Sequence, residues 1–428
     1  MPEETAKNRL EAENLQLRQA VEELSILNEI AFAIGSQTEV DKISELIVSK
    51  CTKKIKAEQG CILLLSEDQN SPFKTYIRKI EHKTEMIPIH LGTTLMGWMI
   101  KNQKPLIIND LSSDQRFQNL QVKEGNFRSL VMVPLKLKNK LTGLLCLFNK
   151  EEEFSAEDQR LLSIIAVQSA QVIENARQVE IEKKFQEMEK ELLVAKEIQM
   201  RLLPKEAPQI DGFDIQGYTL PTKQVGGDYF DFIELPDKNL GVAIADVSGK
   251  GMPAALLMAN FQATLRNQSL AKISPSEMVS NCNNLVCKSV EKGQFVTFFW
   301  GALNCSEKSF NYVNAGHNPP FIFNKKGEIS RLSEGGLILG MLENVPFEQK
   351  KVKLNSGDLL LLFTDGITEA MNETQAQFEE ERLIKVVEEN RLSSADRIIK
   401  KITQEVLSFQ GLQPQFDDLT LVVIKVQE

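Results

Sequence analysis

The sequence predicts an α+β chain with two strand-rich parts joined by a charged helix, and three stretches carry that prediction. Its 428 residues suffice for two or three domains, each with its own core. From Ile210 onward apolar strands such as QFVTFFWGALN and DLLLLFTDG alternate with grouped helical blocks, the pattern of an α+β sandwich. At the centre of that half, Gly241 to Ala259 reads GVAIADVSGKGMPAALLMA: an alternating strand, a carboxylate at its end, a Gly-rich turn, then a helix with Pro253 in its first turn. Between Val179 and Leu203 lies a segment dense in Glu and Lys with a narrow apolar stripe.

The N-terminus places Leu10, Leu17, Val21, Leu24 and Ala31 at spacings of three, four and seven, with Asn14 and Asn28 in the same seam. This is a short coiled-coil pattern, expected over residues 1–26, in which a buried Asn fixes register. Residues 27–176 read as a mixed α/β domain. The helix-like DKISELIVSKCTKKI leads into the strand GCILLLSE. Later SLVMVPLKLKN and KLTGLLCLFNK pair across a turn, and a long amphipathic helix opens at Ser155 with Asp158 three residues on. Residues 177–204 form the expected linker, where Ile181, Phe185, Met188, Leu192, Ala195 and Leu202 share one seam with Gln199 and Pro204 ends the helix. Pairing of that seam with a second copy makes the chain a homodimer. Residues 205–428 are the second domain.

Acidic side chains at strand ends carry the chemistry. Asp228 lies in QVGGDYFDF, Asp246 ends the central strand, Asp365 follows LLLLFT, and Asp417 and Asp418 open DDLTLVVIKV. Carboxylates gathered at one sandwich edge suit a pair of divalent ions. Oxygen donors without Cys or His at ligand spacing point to Mg or Mn rather than Zn. Strand alternation turns Asp417 and Asp418 to opposite sides, so a given ion meets one of them.

Composition narrows the partners. A net charge of −9 argues against nucleic acid, and no apolar run reaches membrane-spanning length. The N-terminus has no apolar signal core, and the six cysteines are scattered without CxxC pairs, as in a reduced cytoplasmic protein.

Two resemblances sharpen this reading. GWMIKNQKPLIINDLSSDQRF, FRSLVMVPL and GLLCLFNK resemble a GAF domain, a regulatory module with an antiparallel sheet and flanking helices that holds a small molecule or answers to a protein regulator. Asn149, Lys150, Phe154 and Asp158 are similar to the motif of cyclic-nucleotide-binding members, with Gln159 where that motif ends in Glu. In members without a ligand the Lys and Asp form a structural ion pair. IQMRLLP, VGGDYFDF, ADVSGKGMPAALLMA, NAGHNPP, FTDGITEA and FDDLTLVV resemble, in order and spacing, the PPM (type 2C) serine/threonine protein phosphatases of the bacterial SpoIIE/RsbU group.

That second resemblance implies an αββα sandwich and two-metal hydrolysis of a phosphoserine or phosphothreonine ester. Asp246 bridges two ions with the Val247 carbonyl as a further ligand, Asp228 holds the second ion, and Asp365 with Asp417 holds the first. Lys223 stands where many relatives place a phosphate-binding Arg, and Ser248 where eukaryotic relatives have a His. His317 is read as structural. The implied substrate is a phosphorylated anti-sigma-factor antagonist. The competing reading is a dimeric signalling scaffold that binds phosphoprotein without turnover.

Overall fold

The computed structural model describes residues 39–65, 73–80, 93–117, 127–236, 239–291 and 293–427, together with Glu13, Asn14, Leu17, Val21 and Ser25. It divides into two units, Met1–Glu187 and Met188–Glu428. Of the N-terminal seam, Asn14, Leu17 and Val21 are helical and exposed, while Leu10, Leu24, Asn28 and Ala31 lie outside the described residues. Among the described residues no helix is long and apolar enough to cross a membrane, and the six cysteines are free thiols.

In the first unit, helix α1 (Val40–Ile55) buries Ile43, Ile47, Val48, Cys51 and Ile55 along one stripe, and Lys56 stops it in the left-handed conformation. Strands β1 (Ala57–Leu65), β2 (Phe73–Ile80), β3 (Leu106–Ile108), β4 (Leu130–Leu137) and β5 (Lys140–Lys150) form one antiparallel sheet in the order β2-β1-β5-β4-β3. The predicted β4–β5 hairpin turns at Lys138 and Asn139, both at positive φ, as a two-residue turn between right-twisted strands requires. One face of the sheet packs Ile62, Val133 and Leu145 against Ile47 of α1 and Leu162 and Ile165 of the following long helix. The other packs Cys61, Met132 and Phe148 against Leu95 and Met99 of helix α2 (Thr93–Asn102). This is the antiparallel sheet with flanking helices that the sequence predicts.

The motif shared with nucleotide-binding GAF domains is taken up by the fold itself. Lys150 Nζ lies 2.6 Å from Asp158 Oδ2, Asn149 Oδ1 accepts the Arg128 amide at 2.8 Å, and Phe154 is core. Ser155 and Asp158 cap each other reciprocally at the start of helix α3 (Ala156–Met200). This helix is 45 residues long and runs unbroken through the expected boundary at 176/177, because no Gly or Pro interrupts it. Ile181, Phe185 and Met188 of the expected seam are exposed.

The second unit is a four-layer sandwich. Strands β6 (Phe213–Leu220), β7 (Tyr229–Leu235), β8 (Asn239–Val247), β9 (Val296–Asn304), β10 (Ser309–Ala315), β11 (Phe321–Phe323), β12 (Ile329–Arg331), β13 (Gly335–Gly336), β14 (Lys350–Lys353), β15 (Leu359–Phe363) and β16 (Leu419–Val426) divide between two sheets. One runs β13-β10-β9-β8-β7 with β14 also on β10, the other β12-β11-β15-β16-β6. Their inner faces meet in a core of Phe230, Val242, Ile244, Phe299, Leu360, Leu362, Val422 and Ile424. Helices α4 (Met252–Ser269) and α5 (Pro275–Ser289) cover the first sheet through Met258, Phe261, Val279 and Cys282. After the single turn α6 (Asp365–Thr368), helices α7 (Glu379–Asn390) and α8 (Ala395–Gln410) cover the second through Leu383, Val387, Ile398 and Ile402. A short turn at residues 391–394 separates these two helices. Ser394 caps the second by accepting the Arg397 amide.

Candidate active site

Every predicted acidic residue sits where a β-strand meets a turn at one edge of this sandwich. Asp246 is the penultimate residue of β8 and lies opposite Thr297 on β9. Asp365 begins α6 one residue, Thr364, after the end of β15, Asp417 and Asp418 immediately precede β16, and Asp228 immediately precedes β7. Glycines let these turns close on one another. A Cβ on Gly366, next to Asp365, would stand 2.0 Å from the Asp418 carbonyl oxygen, and one on Gly227, next to Asp228, would stand 2.7 Å from the Val247 carbonyl oxygen.

The charges are felt across the gap. Burial lifts the Asp246 carboxyl to about 7, reinforced by Asp365, Asp417 and Asp418, with Lys250 opposing. Asp365 rises to about 6, through burial first and then Glu369 and Asp417. Asp228 is driven well above the usual carboxylate range by burial and by Asp246 and Asp418, against hydroxyl hydrogen bonds from Thr364 and Thr420. Acids that raise one another's protonation, with Lys250 the opposing charge, are the kind of cluster that functional sites gather.

The two neighbouring aspartates do different things. Asp418 is buried and accepts the Thr222 amide on Oδ1 at 2.7 Å and the Gly227 amide on Oδ2 at 2.8 Å, so its carboxylate holds the 222–228 loop. Asp417 is one-third exposed, and its Oδ2 lies 2.8 Å from Lys250 Nζ. The Lys250 ammonium also donates to the Phe416 carbonyl and rests 4.1 Å above the Phe416 ring. Lys223 is exposed, with its Nζ 4.0 Å from where a Gly251 Cβ would be, beside the turn that follows Asp246.

Supporting groups fix these side chains. Thr364 Oγ1 donates to Asp228 Oδ2 at 2.8 Å and accepts the Thr420 amide at 3.1 Å. Ser248 Oγ accepts the Phe295 amide at 2.8 Å, a turn-closing role. His317 is enclosed between Thr297 Oγ1 at Nδ1 and the Phe363 carbonyl at Nε2. Since a carbonyl only accepts, the proton sits on Nε2, and burial lowers the imidazole pKa to about 4. It is a neutral structural histidine at ordinary pH.

Among the described residues no three His, Cys, Asp or Glu side chains close on one point as a ready cage for a metal ion. The donor chemistry nevertheless fits a hard divalent cation. The donors are all oxygen, and two of the carboxyls, Asp246 and Asp365, carry a protonation burden that such an ion would relieve. Sequence reasoning named the carboxylates. It missed Thr364, the Lys250–Asp417 pair and the loop-holding role of Asp418, since these depend on pairs far apart in the chain.

Comparison with known proteins gives the same architecture. Residues 236–427 match the family model "Stage II sporulation protein E (SpoIIE)", and residues 37–174 match the GAF domain. The chain is 35% identical over 241 residues to phosphoserine phosphatase RsbU of Bacillus subtilis, covering 56% of this chain and 71% of the relative. It is 30% identical over 262 residues to protein IcfG of a Synechocystis species, covering 55% of this chain and 41% of that one. The SiaA-PP2C domain of Pseudomonas aeruginosa superposes with a TM-score of 0.50 at 18% identity, over 56% of this chain and 98% of the domain, which shows the shared fold. The chain belongs to the SpoIIE-type branch of the PPM serine/threonine protein phosphatases, with a GAF domain on the same polypeptide.

Proposed function

We propose that the phosphatase depends on two Mg or Mn ions, which Asp246 would hold in common, with the Val247 carbonyl as a further ligand, Asp365 and Asp417 for the first ion and Asp228 for the second. The observation that carries this reading is the acidity of the edge: beyond burial, Asp365, Asp417 and Asp418 raise the Asp246 carboxyl and Glu369 and Asp417 raise that of Asp365, with Lys250 opposing both. A phosphate dianion would be repelled from this acidic edge unless divalent charge stood there. When bound, such ions supply Lewis-acid neutralisation of the phosphoryl oxygens and an acidified water. The chain's own residues do the placing. Thr364 orients the Asp228 carboxylate, Asp418 pins the loop that carries it, and Ser248 closes the turn behind Asp246. Lys223, at that turn, offers a point charge to the phosphoryl group without the bidentate fork of an arginine.

The substrate proposed is a phosphoserine or phosphothreonine on an anti-sigma-factor antagonist in a partner-switching pathway; the activity in the name of the RsbU relative supports the phosphoserine part. The GAF domain is proposed to bind a small-molecule or protein regulator, and the exposed Ile181, Phe185 and Met188 of α3 to pair with a second copy. The proposed location is the cytoplasm. The test is a Mn-dependent phosphatase assay on the wild type beside Asp246→Ala and Asp365→Ala. Both variants are expected to fold and to lose activity by orders of magnitude. Equal rates in all three would remove the site, and a folded, Mn-loaded wild type without turnover would favour the scaffold reading.

A further inference from the structure

Phe416 stands directly before Asp417 in the short loop between α8 and β16, and it is 56% exposed. An exposed apolar residue by itself signals nothing. This one is held out by its neighbours. Gln415 Nε2 donates to the Leu220 carbonyl and to the Asp417 carbonyl, both at 2.8 Å, so the chain on either side of Phe416 is tied to the end of β6. Lys250 Nζ donates to the Phe416 carbonyl and lies 4.1 Å from the centroid of its ring. The ammonium covers one face of the ring, and its pairing with Asp417 keeps it there. More than half of the residue's surface stays open, fixed beside an acid of the active-site edge.

The reaction supplies the occupant. A protein phosphatase meets its phosphorylated residue as one link of a longer chain, so the neighbours of that residue cross the rim of the site. Consecutive Cα atoms are about 3.8 Å apart, which brings a side chain one or two positions away within reach of the ring beside Asp417. Charge narrows its type. A carboxylate there meets Asp417, and a cation meets Lys250 on the same ring. An aliphatic side chain meets neither obstacle and leaves water on contact.

We infer that Phe416 is a specificity-determining residue, the open face of its ring receiving an aliphatic side chain one or two positions from the phosphorylated residue of the substrate. The inference rests on reading the acidic edge as the place where the phosphoryl group is hydrolysed. It gives the site a means of reading the chain around that group.

The test uses the full-length chain and short synthetic phosphoserine peptides, identical except for Leu, Ala, Arg or Glu at one position within two residues of the phosphoserine. Phosphate release with Mn gives kcat and KM for each. Fluorescence anisotropy follows binding of the same peptides carrying a non-hydrolysable difluoromethylene phosphonate. The wild type should prefer the best Leu peptide over its Ala counterpart about fivefold in kcat/KM, the factor expected from covering roughly half of a leucine side chain. The preference should lie in KM, because the contact is the same before and during reaction. Phe416→Ala should bring the ratio below about twofold, and Phe416→Trp should keep it. Since each ratio compares peptides on one enzyme, any change in metal loading cancels. A wild type that ignores Leu or prefers Arg or Glu would overturn the inference, as would an unchanged ratio in Phe416→Ala. Turnover that is equal without Mn, or in Asp365→Ala, would remove the metal reading instead, and the phosphonate binding ratios would still decide the role of the ring.

Discussion

Asp417 and Asp418 stand side by side, and exchanging each for asparagine should have opposite consequences. Asp418 is buried, and its carboxylate takes the Thr222 and Gly227 amides at 2.7 and 2.8 Å. Hydrogen bonds to a charged group are worth about 1.5–3 kcal/mol each. An amide keeps one acceptor and turns an NH2 group toward a backbone N–H, so one bond is lost and the other weakened. Removing a like charge from Asp228 and Asp246 offsets part of this, leaving a loss of about 2–3 kcal/mol. Asp417 is one-third exposed, its ion pair with Lys250 is equally accessible, and such pairs contribute about 0–1 kcal/mol. Asp417→Asn also relieves repulsion on Asp246 and Asp365, so stability should be nearly unchanged while metal-dependent turnover collapses.

Urea unfolding in EDTA separates the two. With Trp98→Phe as background, Trp300, buried in the second unit, is the one remaining tryptophan and reports on that unit. A difference of about 2 kcal/mol with a slope of about 2–3 kcal/mol/M places the Asp418→Asn midpoint about 0.7–1 M below that of Asp417→Asn. Equal midpoints, or a lower one for Asp417→Asn, would refute the division of labour between the two residues.

Further outcomes follow from the same geometry. Asp246 and Asp365 bind protons more tightly folded than unfolded, so metal-free stability should fall as pH rises from about 4 through about 7, as thermal melts in EDTA will show; flat or rising stability would contradict the burial of these acids. In the same window Mn affinity should increase with pH, with proton release on binding detectable by calorimetry in buffers of different ionisation enthalpy. Thr364→Val should cost about 1–3 kcal/mol and weaken Mn binding, with Thr364→Ser restoring both, because the hydroxyl serves Asp228 and the Thr420 amide together. Phe185→Glu, placed in the exposed α3 stripe, should convert a sedimenting dimer to monomer; an unchanged sedimentation coefficient would remove the pairing of that helix.

Much of this was readable from sequence, and the exceptions have physical reasons. The α+β layering follows from period-two strands and grouped helices, and each acidic residue stands beside an apolar run: Asp246 and Asp365 where one stops, Asp228, Asp417 and Asp418 where one starts. The continuity of α3 was also written in the chain, since Ala156–Met200 holds neither Gly nor Pro, although the expected domain boundary cut through it. Strands β13, with the sequence GG, and β14, with KKVK, carry no alternation and exist only because β10 offers them an edge. Strand alternation separates Asp417 from Asp418. That Asp418 holds Thr222 and Gly227, almost two hundred residues away, depends on contacts no local pattern encodes. Gln199 looked like a polar seam residue, and its attachment to Gly226 appears only once both ends of that loop are folded.

The most direct test of the central claim is an anomalous difference map at the manganese edge from crystals of the full chain grown with Mn. Two peaks are expected at the sandwich edge, ringed by oxygens of Asp228, Asp246, Val247, Asp365 and Asp417, with Asp418 turned to its loop. No peak there in a crystal soaked at saturating Mn, or ions ligated by other residues, would contradict it.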